Sequence, residues 1–191
     1  MLMDKVDRDG DFKFEDKGAD HVLEELIDAY YKPLMNLAFT YVKDWSTAED
    51  IVQEVMIKVF RQIDSFEGKA SIKTWIYRIT MNQCKDYLRK TYVKRVFITG
   101  MMEKFSPPSK EDTPEATFVK GSRNKEMAEA VLELPTKYSE AIILYYYEEL
   151  SMVEMSEVLN LNVSTIKSRL QRGRKKLKVL LEKRGISYDS L

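Results

Sequence analysis

The sequence predicts an all-α protein with two small helical domains, a helical bundle and a helix-turn-helix, joined by an extended linker. Apolar residues recur every three to four positions along most of the chain, and no alternating strand pattern of useful length is present. Between residues 100 and 122, three prolines, two glycines and several charges interrupt this periodicity and favour an extended linker. The predicted helical segments are 22–42, 47–63, 72–90, 125–134, 137–149, 152–159 and 163–181.

The composition supports folded domains and excludes several classes of protein. With 191 residues and 44% hydrophobic content, the chain can bury the cores of one or two domains. The single cysteine, Cys84, and the single histidine, His21, exclude an internal disulfide and a Cys/His zinc site, so we expect no metal or other cofactor. No apolar run approaches the roughly 20 residues of a membrane helix, and no secretory signal is recognisable. We therefore expect a cytoplasmic protein with no membrane insertion of its own.

The net charge of zero conceals two acidic-then-basic modules. Residues 1–70 carry 9 basic and 16 acidic side chains, and residues 71–100 carry 7 and 1. Residues 101–163 carry 6 and 12, and residues 164–191 carry 9 and 2. A solvated helix face explains one such block more readily than two. The pattern therefore favours two separate electrostatic footprints on nucleic acid.

The domain boundaries follow from the helical segments and the linker. We expect a first domain over residues 21–97, a flexible linker over 98–123 and a second domain over 124–184. The polar residues 1–20 are predicted to form a mobile N-terminal tail, and residues 185–191 are predicted to form a C-terminal tail.

The segment 47–63 reads as an amphipathic helix with one unusual face. Ser46 and Glu49 are predicted to form a capping box at its start. The predicted buried side consists of Ile51, Val52, Val55, Met56, Val59 and Ile63. The predicted exposed face consists of Asp50, Gln53, Glu54, Ile57 and Arg61. This face is either an ordinary solvated one or a partner-binding surface with a central hydrophobic contact.

The segment 72–90 combines an apolar stripe with a cationic one. The apolar stripe consists of Ile76, Tyr77, Met81, Cys84, Tyr87 and Leu88. The cationic stripe consists of Arg78, Asn82, Lys85 and Arg89, with Trp75 beside it. Cations next to an aromatic, after the flexible loop 65–71, are typical of surfaces that hold single strands of nucleic acid. For Trp75, a position in the core remains the alternative.

The second domain begins with a segment, 131–150, that is more apolar than a DNA-reading hairpin requires. Most of its aliphatic and tyrosine side chains are expected in the core, and some are expected to form a docking surface for another protein. The side chains concerned are Ile142, Ile143, Leu144, Tyr145, Tyr146 and Tyr147.

The segment after it follows the plan of a helix-turn-helix. Ser151 and Glu154 form a capping box, so a helix should run from Met152 to Leu159, with the turn at residues 160–162. A second helix should start near Val163 and bury one stripe against the helix before it. That stripe consists of Ile166, Leu170, Gly173 and Leu177.

The other sides of this second helix carry short polar side chains and cations. These are Ser164, Thr165, Lys167, Ser168, Gln171, Arg172, Arg174 and Lys175. The best candidates for contact with base edges are Lys167, Ser168, Gln171 and Arg172. The best candidates for contact with the phosphate backbone are Arg174, Lys175, Lys176 and Lys178. The alternative is an ordinary helical hairpin with a solvated basic face.

Two stretches together resemble one known family. They are AEDIVQEVMIKVFRQIDSFEGKASIKTWIYRITMNQCKDYLRK at 48–90 and LELPTKYSEAIILYYYEELSMVEMSEVLNLNVSTIKSRLQRGRKKLK at 132–178. They resemble region two and region four of bacterial RNA polymerase sigma factors of the extracytoplasmic-function (ECF) type, in order and spacing. With the helices around them, the resemblance covers residues 22 to about 182.

The resemblance implies a role for each candidate residue. Asp50, Gln53 and Glu54 match the face that docks on the β′ clamp helices of core polymerase, and Ile57 lies within that face. Asn82 matches a helix residue near the pocket for a flipped base of the −10 promoter element, and Trp75, Arg78, Lys85 and Arg89 share its helix. The loop of that pocket matches Phe66, Glu67, Gly68, Lys69, Ala70 and Ser71. Residues that match the −35-reading positions are Lys167, Ser168 and Arg172, whereas Gln171 stands where members of the family differ.

The resemblance also implies further partners. The hydrophobic part of residues 131–150 would meet the β-subunit flap, and the linker 100–122 would thread toward the RNA exit path. An anti-sigma factor is a family-level expectation, and it could hold the chain at a membrane.

Three hypotheses of function follow from the sequence. The first is a sigma factor that directs promoter-specific initiation and reads the −35 element as duplex and the −10 element as melted strand. The alternative is a free-standing helix-turn-helix regulator that binds duplex DNA without polymerase, although no dimerisation seam is visible. An enzyme is not expected, because the sequence lacks a phosphate loop, a metal-ligand cluster and a nucleophile triad.

Overall fold

The computed structural model describes residues 19–99 and 122–186, and within them the all-α prediction is confirmed. The described helices are grouped in two compact units, α1 to α3 and α4 to α7. They are α1 Ala19–Val42, α2 Trp45–Gln62, α3 Ile72–Thr99, α4 Ser122–Glu133, α5 Thr136–Ile142, α6 Met152–Leu159 and α7 Val163–Lys183. A 3₁₀ turn, Ile63–Ser65, follows α2, and a π-helical turn, Ile143–Tyr147, follows α5.

The first unit is a bundle in which α1, α2 and α3 bury their apolar stripes against one another. Its core includes Leu34, Leu37, Val52, Val55, Val59, Ile76, Tyr77 and Met81. The rings of Tyr30 and Tyr77 meet edge to face, with 6.5 Å between their centroids. The predicted stripe of α3 is wrong at Tyr87, which is 38% exposed because it lies at the margin of the buried side. At the ends of the two predicted stripes, Ile63 and Leu88 are half-buried.

The N-cap of helix α2 lies two residues before the predicted one, so the capping box at Ser46 and Glu49 is wrong. Asp44 is the N-cap, and its carboxylate Oδ1 accepts a hydrogen bond of 2.8 Å from the Thr47 backbone N–H. Hydrogen bonding to the Thr47 side chain, and after it to the Thr47 backbone N–H, stabilises the ionised carboxylate and lowers the pKa of Asp44. Ser46 already lies inside the first turn, so the N-terminus of α2 is capped by an aspartate rather than by a serine.

We expect Lys43→Met to stabilise the first unit near neutral pH. Lys43 joins α1 to α2 and is half-buried, and burial lowers the pKa of its amine from 10.5 to about 8. Below pH 8 the amine is charged in both the folded and the unfolded chain, so the cost of burying the charge is fully present. As pH rises from about 8 to 10.5, the folded chain loses this proton first and the cost disappears. Removal of the amine should raise the free energy of unfolding by about 2 kcal/mol at pH 7 and by much less near pH 10.5.

Urea unfolding at both pH values, followed by tryptophan fluorescence, measures this difference. Both tryptophans of the chain, Trp45 and Trp75, lie in the first unit. Lys32→Met, at an exposed position of α1, is the matched control and should change stability little at either pH. An equal gain for Lys43→Met at pH 7 and pH 10.5 would contradict the account.

In the second unit, α7 packs against α4 and α5 as well as against α6. The predicted buried stripe of α7 is buried, and Gly173 explains how closely the helices approach. A Cβ atom at Gly173 would lie 3.3 Å from Cγ1 of Ile142 and 3.6 Å from Cβ of Tyr138, both in α5. The stripe therefore packs on α5 as well as on the helix directly before it. At the end of α7, Arg184 donates to the backbone oxygen of Glu126 at 3.0 Å and forms an ion pair of 2.7 Å with Glu133.

The predicted helix 137–149 changes to a π-helical turn at Ile143. The Glu148 N–H donates to the Ile143 oxygen at 3.0 Å, five residues back, and Glu149 then adopts a left-handed conformation with φ 53°. Ile142, Ile143 and Leu144 are buried as predicted. Tyr145 is half-buried, whereas Tyr146 and Tyr147 are 50% and 37% exposed, so most of the six side chains lie in the core and two do not, as the sequence predicts. The wider turn moves these two tyrosines out of the helical register.

Helix α3 continues beyond the predicted segment, and both ends of the predicted linker 98–123 are helical. The first strong helix breaker after residue 90 is Gly100, so α3 runs on to Thr99, and α4 already begins at Ser122. The rest of the linker, 100–121, lies outside the described residues, as do 1–18 and 187–191 of the predicted tails. Among the described helices, none combines the length and apolar character that crossing a membrane requires.

Candidate functional site

Four exposed side chains lie on the side of α2 away from the core, and we call them the α2 face: Asp50, Gln53, Glu54 and Ile57. Ile57 is 51% exposed although it is apolar. Burial of this side chain by a partner would remove its apolar area from water, and two carboxylates beside it could fix the partner's orientation. The arrangement thus suits a protein-binding surface with an apolar centre.

Phe60 extends the apolar part of this surface, and the sequence analysis does not select it. It is 40% exposed and lies one turn after Ile57. Its spacing of seven from Gln53 puts it on the same side of α2. The sequence signal that could have identified Phe60 is a large aromatic residue outside the predicted buried side of α2. Two exposed apolar side chains one turn apart indicate a docking surface more strongly than either does alone.

One residue of the α2 face, Glu54, and one residue beside the face, Glu49, contact other helices of the unit. The Glu54 carboxylate accepts a hydrogen bond from the side-chain amide of Gln83, a residue of α3. Next to Asp50, the Glu49 carboxylate accepts a hydrogen bond of 3.2 Å from the Tyr31 hydroxyl. Burial, together with the adjacent Glu49 carboxylate, raises the pKa of Tyr31, so its phenol keeps the proton that it donates.

The loop 66–71 connects α2 and its 3₁₀ turn to α3, and the predicted single-strand site begins here. Gly68 is exposed and adopts a left-handed conformation with φ 67°, which few other residues tolerate. Glu67 and Lys69 form an exposed ion pair across it. Ser71 caps α3: its Oγ accepts from the Thr74 N–H at 3.1 Å. The predicted contact residue Ser71 therefore also has a structural role.

The sequence left two positions open for Trp75, one exposed beside the cationic stripe and one in the core. The observed position lies between them. Trp75 is half-buried, and its ring lies against Phe66 with 5.2 Å between centroids and a tilt of 45°. Phe66 is itself half-buried. The two rings together anchor the loop 66–71 on the first turn of α3, and each keeps part of its surface accessible.

The predicted cationic stripe of α3 is exposed throughout. Arg78, Asn82, Lys85 and Arg89 all face solvent, and Arg89 forms an exposed ion pair of 3.1 Å with Asp86. Such an exposed pair stabilises the helix little, so a phosphate can replace the carboxylate at low cost. Tyr92, which is 50% exposed and seven residues after Lys85, extends the same side of the helix with an aromatic ring that the sequence analysis does not select.

The turn of the helix-turn-helix has the predicted boundaries. Ser151 and Glu154 form the complete capping box, with the Ser151 N–H donating to Glu154 at 2.8 Å. Asn160 ends α6 in a left-handed conformation, and the Asn162 side chain caps α7 by accepting from the Thr165 N–H at 2.8 Å. Two asparagines thus fix the angle at which α7 leaves the turn.

Most of the predicted DNA-reading side chains of α7 are exposed. Those exposed are Ser164, Lys167, Gln171, Arg172, Arg174 and Lys175. Thr165 and Ser168 are half-buried, and the Ser168 hydroxyl donates to the Thr165 backbone oxygen at 2.9 Å. Ser168 can approach a base edge only by giving up that bond or by acting as an acceptor.

An ion pair that the sequence analysis does not select holds the start of α7. The Arg169 guanidinium pairs with Glu140 of α5, whose side chain is 7% exposed. Arg169 lies within three residues of Lys167, Ser168 and Arg172 on α7, so this link helps to set where those side chains point. The partners are separated by 29 residues, and nothing local in the sequence indicates their pairing.

Next to α7, two further features shape the second unit's surface. The Arg174 guanidinium lies 3.5 Å from the hydroxyl of the exposed Tyr146.

A shallow cleft of about 420 Å³ lies between the end of α4 and the second half of α7. Its lining residues are Glu133, Leu134, Pro135, Lys175, Lys176, Val179 and Leu180.

No group of three or more His, Cys, Asp or Glu side chains in residues 19–99 and 122–186 is arranged to hold a metal ion. Burial raises the pKa of Cys84 to about 12, so the thiol is not a nucleophile near neutral pH. The surfaces suit binding: two cationic faces of different construction, and one acidic face with an apolar centre.

Two known protein families match the chain, one in each helical unit. Residues 26–92 match the family described as Sigma-70 region 2, and residues 124–177 match the family described as Sigma-70, region 4. The first match contains the α2 face and the α3 stripe, and the second contains the helix-turn-helix up to Leu177.

Individual proteins match along nearly the whole chain. The ECF RNA polymerase sigma factor SigW of Bacillus subtilis is 32% identical over 168 residues, which cover 85% of this chain and 90% of SigW. The RNA polymerase sigma factor SigV of the same organism is 33% identical, over 87% of this chain and 95% of SigV. The sigma factor RpoE of Bartonella quintana, solved in complex with the anti-sigma factor NepR, has a similar fold, with a TM-score of 0.65, 24% identity and coverage of 85% of this chain and 98% of that one. The chain belongs to the extracytoplasmic-function family of RNA polymerase sigma factors.

Proposed function

We propose that this sigma factor docks on core RNA polymerase through the α2 face, reads the −35 element as duplex with α7, and captures the melted −10 strand with the loop 66–71 and α3. The observation that carries the proposal is the presence, in one chain, of an acidic face with an apolar centre and two exposed cationic surfaces of different construction. A docking surface and two DNA surfaces are what promoter-directed initiation requires. In this proposal the chain acts as an initiation factor, and the chemistry is that of the polymerase.

The surface of the first unit suits an unpaired strand. Cations that recur along one side of α3 can hold successive phosphates, and the exposed loop before it offers room for a base that has left the stack. Extruding a base costs a few kcal/mol, which stacking and backbone contacts can offset. In this proposal strand opening is driven by capture of the opened state, with Phe66, Trp75 and Asn82 around the captured base.

The surface of the second unit suits duplex DNA. A capped, rigid helix with exposed Lys167, Gln171 and Arg172 can enter a major groove, where these side chains reach base edges. Arg174 and Lys175, further along the helix, can hold phosphates. The ion pair between Arg169 and the buried Glu140 keeps the helix in place during this contact.

The partners follow from the same surfaces. The α2 face would contact the β′ clamp helices, and the exposed tyrosines 146 and 147 would lie in the surface that meets the β flap. An anti-sigma factor would cover the docking and DNA-binding surfaces, as a partner that silences them must. The chain would act in the cytoplasm, where the polymerase is, or be held at the membrane by that partner.

The combined variant Asp50→Ala and Gln53→Ala should lower the affinity for core polymerase about tenfold or more, because it removes a charge and an amide from the docking surface. Titration of labelled sigma factor with core enzyme measures the affinity directly. Both side chains are exposed, so tryptophan-detected unfolding should be nearly unchanged.

A matched control removes the same two residue types elsewhere. Asp28→Ala with Gln62→Ala changes one aspartate and one glutamine, both exposed, at positions outside the α2 face. We expect this control to bind core polymerase like the unaltered protein. Equal affinities for the Asp50/Gln53 variant and the control would contradict the docking assignment.

A further inference from the structure

Gln83 is a buried side chain of α3 that links two charged residues of α2. It is 8% exposed, and both ends of its amide are in use. Its Nε2 donates to the Glu54 carboxylate, and its Oε1 accepts from the Lys58 ammonium. Because an amide has one donating and one accepting end, these two partners fix the direction in which it points.

The two charged residues would otherwise be favourable partners for each other. Glu54 precedes Lys58 by four residues on one helix, which is the better orientation for a direct ion pair. In the described structure their connection instead runs through the Gln83 amide, which is inserted between the carboxylate and the ammonium. The carboxylate therefore keeps an oxygen for another donor at the edge of the α2 face.

We infer that Gln83 is a positioning residue for polymerase binding: it keeps Glu54 out of a direct ion pair with Lys58 and holds the carboxylate ready for a cationic group of the partner. This inference rests on the proposed function, since it assigns Gln83 a role only if the α2 face docks on polymerase. Gln83 does not itself touch the partner in this account, because it is buried beneath the surface that docks.

Removal of the Gln83 amide should lower the affinity for core polymerase. In Gln83→Met a flexible apolar side chain of similar length fills the same buried space, so the bundle should remain folded. Lys58 is then free to pair with Glu54, and the docking surface loses most of an accessible negative charge. Affinity for core polymerase should fall about five- to tenfold, the size of a typical coupling between contacting residues.

The test measures core affinity for Gln83→Met in three backgrounds. In the unaltered chain the loss should appear. With Glu54→Gln already present, Gln83→Met should cause no further loss, because no carboxylate remains to be positioned. With Lys58→Met already present, Gln83→Met should also cause little loss, because the competing ammonium is gone. A merely structural role for Gln83 would give the same loss in all three backgrounds.

Gln62→Met is the matched control, since it makes the same substitution at an exposed position of α2 outside the face. Equal losses in the three backgrounds, or no loss in the unaltered chain, would overturn the inference. If Asp50→Ala with Gln53→Ala weakens binding while Gln83→Met does not, the docking face stands and this inference falls. If neither variant weakens binding, the proposed docking function falls, and the inference falls with it.

Discussion

Lys167→Ala combined with Arg172→Ala should reduce transcription from a promoter that depends on its −35 element by about 100-fold or more. Both side chains are exposed on the proposed groove-facing part of α7, and each bidentate contact with a base contributes roughly 1–3 kcal/mol of discrimination. Two such contacts together give a factor of this size. The direct measurement is single-round transcription with core polymerase on a cognate promoter.

The same variant separates base reading from attraction to phosphates. On a promoter with a scrambled −35 element, transcription with the unaltered protein should already be low, and the variant should lower it little further. If the two cations only held phosphates, the variant would instead give less transcription from both promoters. The slope of log affinity against log salt concentration would then fall by about one unit for each cation removed.

The matched control for this variant removes two lysines of the second unit away from that surface. Lys137→Ala with Lys183→Ala lowers the charge equally and lies outside the predicted reading positions. We expect near-normal transcription from this control. Full activity of the Lys167/Arg172 variant on the cognate promoter would refute the assignment of α7 as the reading helix.

Arg169→Met should destabilise the second unit by about 3 kcal/mol, the largest single-residue effect that we expect on stability. The Glu140 side chain is 7% exposed, and the variant removes a positive charge that compensates its buried carboxylate. Small domains have only about 5–15 kcal/mol of net stability, so this is a large fraction of the total. Loss of the link would also loosen the part of α7 that carries Lys167 and Arg172.

Hydrogen exchange followed by mass spectrometry can resolve this effect, because peptides from residues 126–186 report on the second unit alone. We expect faster exchange in α5 and α7 and unchanged exchange in α1 to α3. Lys178→Met is the control: it breaks an exposed pair of 3.8 Å with Glu182 on the same helix and should cost less than 1 kcal/mol. The double variant Arg169→Met with Glu140→Met should recover much of the loss, since no buried charge remains. Equal protection in Arg169→Met and the control would contradict this account.

Local signals in the sequence predicted the helix-turn-helix well and the start of α2 poorly. The capping box at Ser151 and Glu154 is formed as the sequence predicts, and so is the turn at residues 160–162. The same pattern at Ser46 and Glu49 failed, because Asp44 is also a good N-cap residue and lies two positions earlier. Two competing caps within three residues cannot be ranked from local pattern alone, since the choice depends on how the preceding turn at Lys43 packs.

Helical periodicity predicted which faces are exposed but not where the register changes. The polar side of α2 and the cationic side of α3 are both exposed. The π-helical turn at 143–147 adds one residue to a turn, and three consecutive tyrosines give no sign of that shift. Tyr146 and Tyr147 are exposed for this reason, although a regular helix would have favoured their burial.

The contacts that support the surfaces were beyond local prediction. Gln83 meets Glu54 across 29 residues of sequence, and Arg169 meets Glu140 across the same separation. Such pairings depend on how the helices cross, which a single sequence does not specify. The exposure of most proposed contact residues was therefore predictable from the helical pattern, whereas the residues that hold them in place required the three-dimensional structure.

We propose that this chain makes core polymerase open promoter DNA, and an open-complex assay measures this directly. The purified chain is incubated with bacterial core polymerase and a library of genomic promoter fragments, and permanganate then detects unpaired thymines. We expect thymines to become reactive only when both proteins are present, at a shared motif close to the transcription start. Binding of duplex DNA without polymerase and with no reactive thymines would contradict the claim and would make a free-standing helix-turn-helix regulator the leading account.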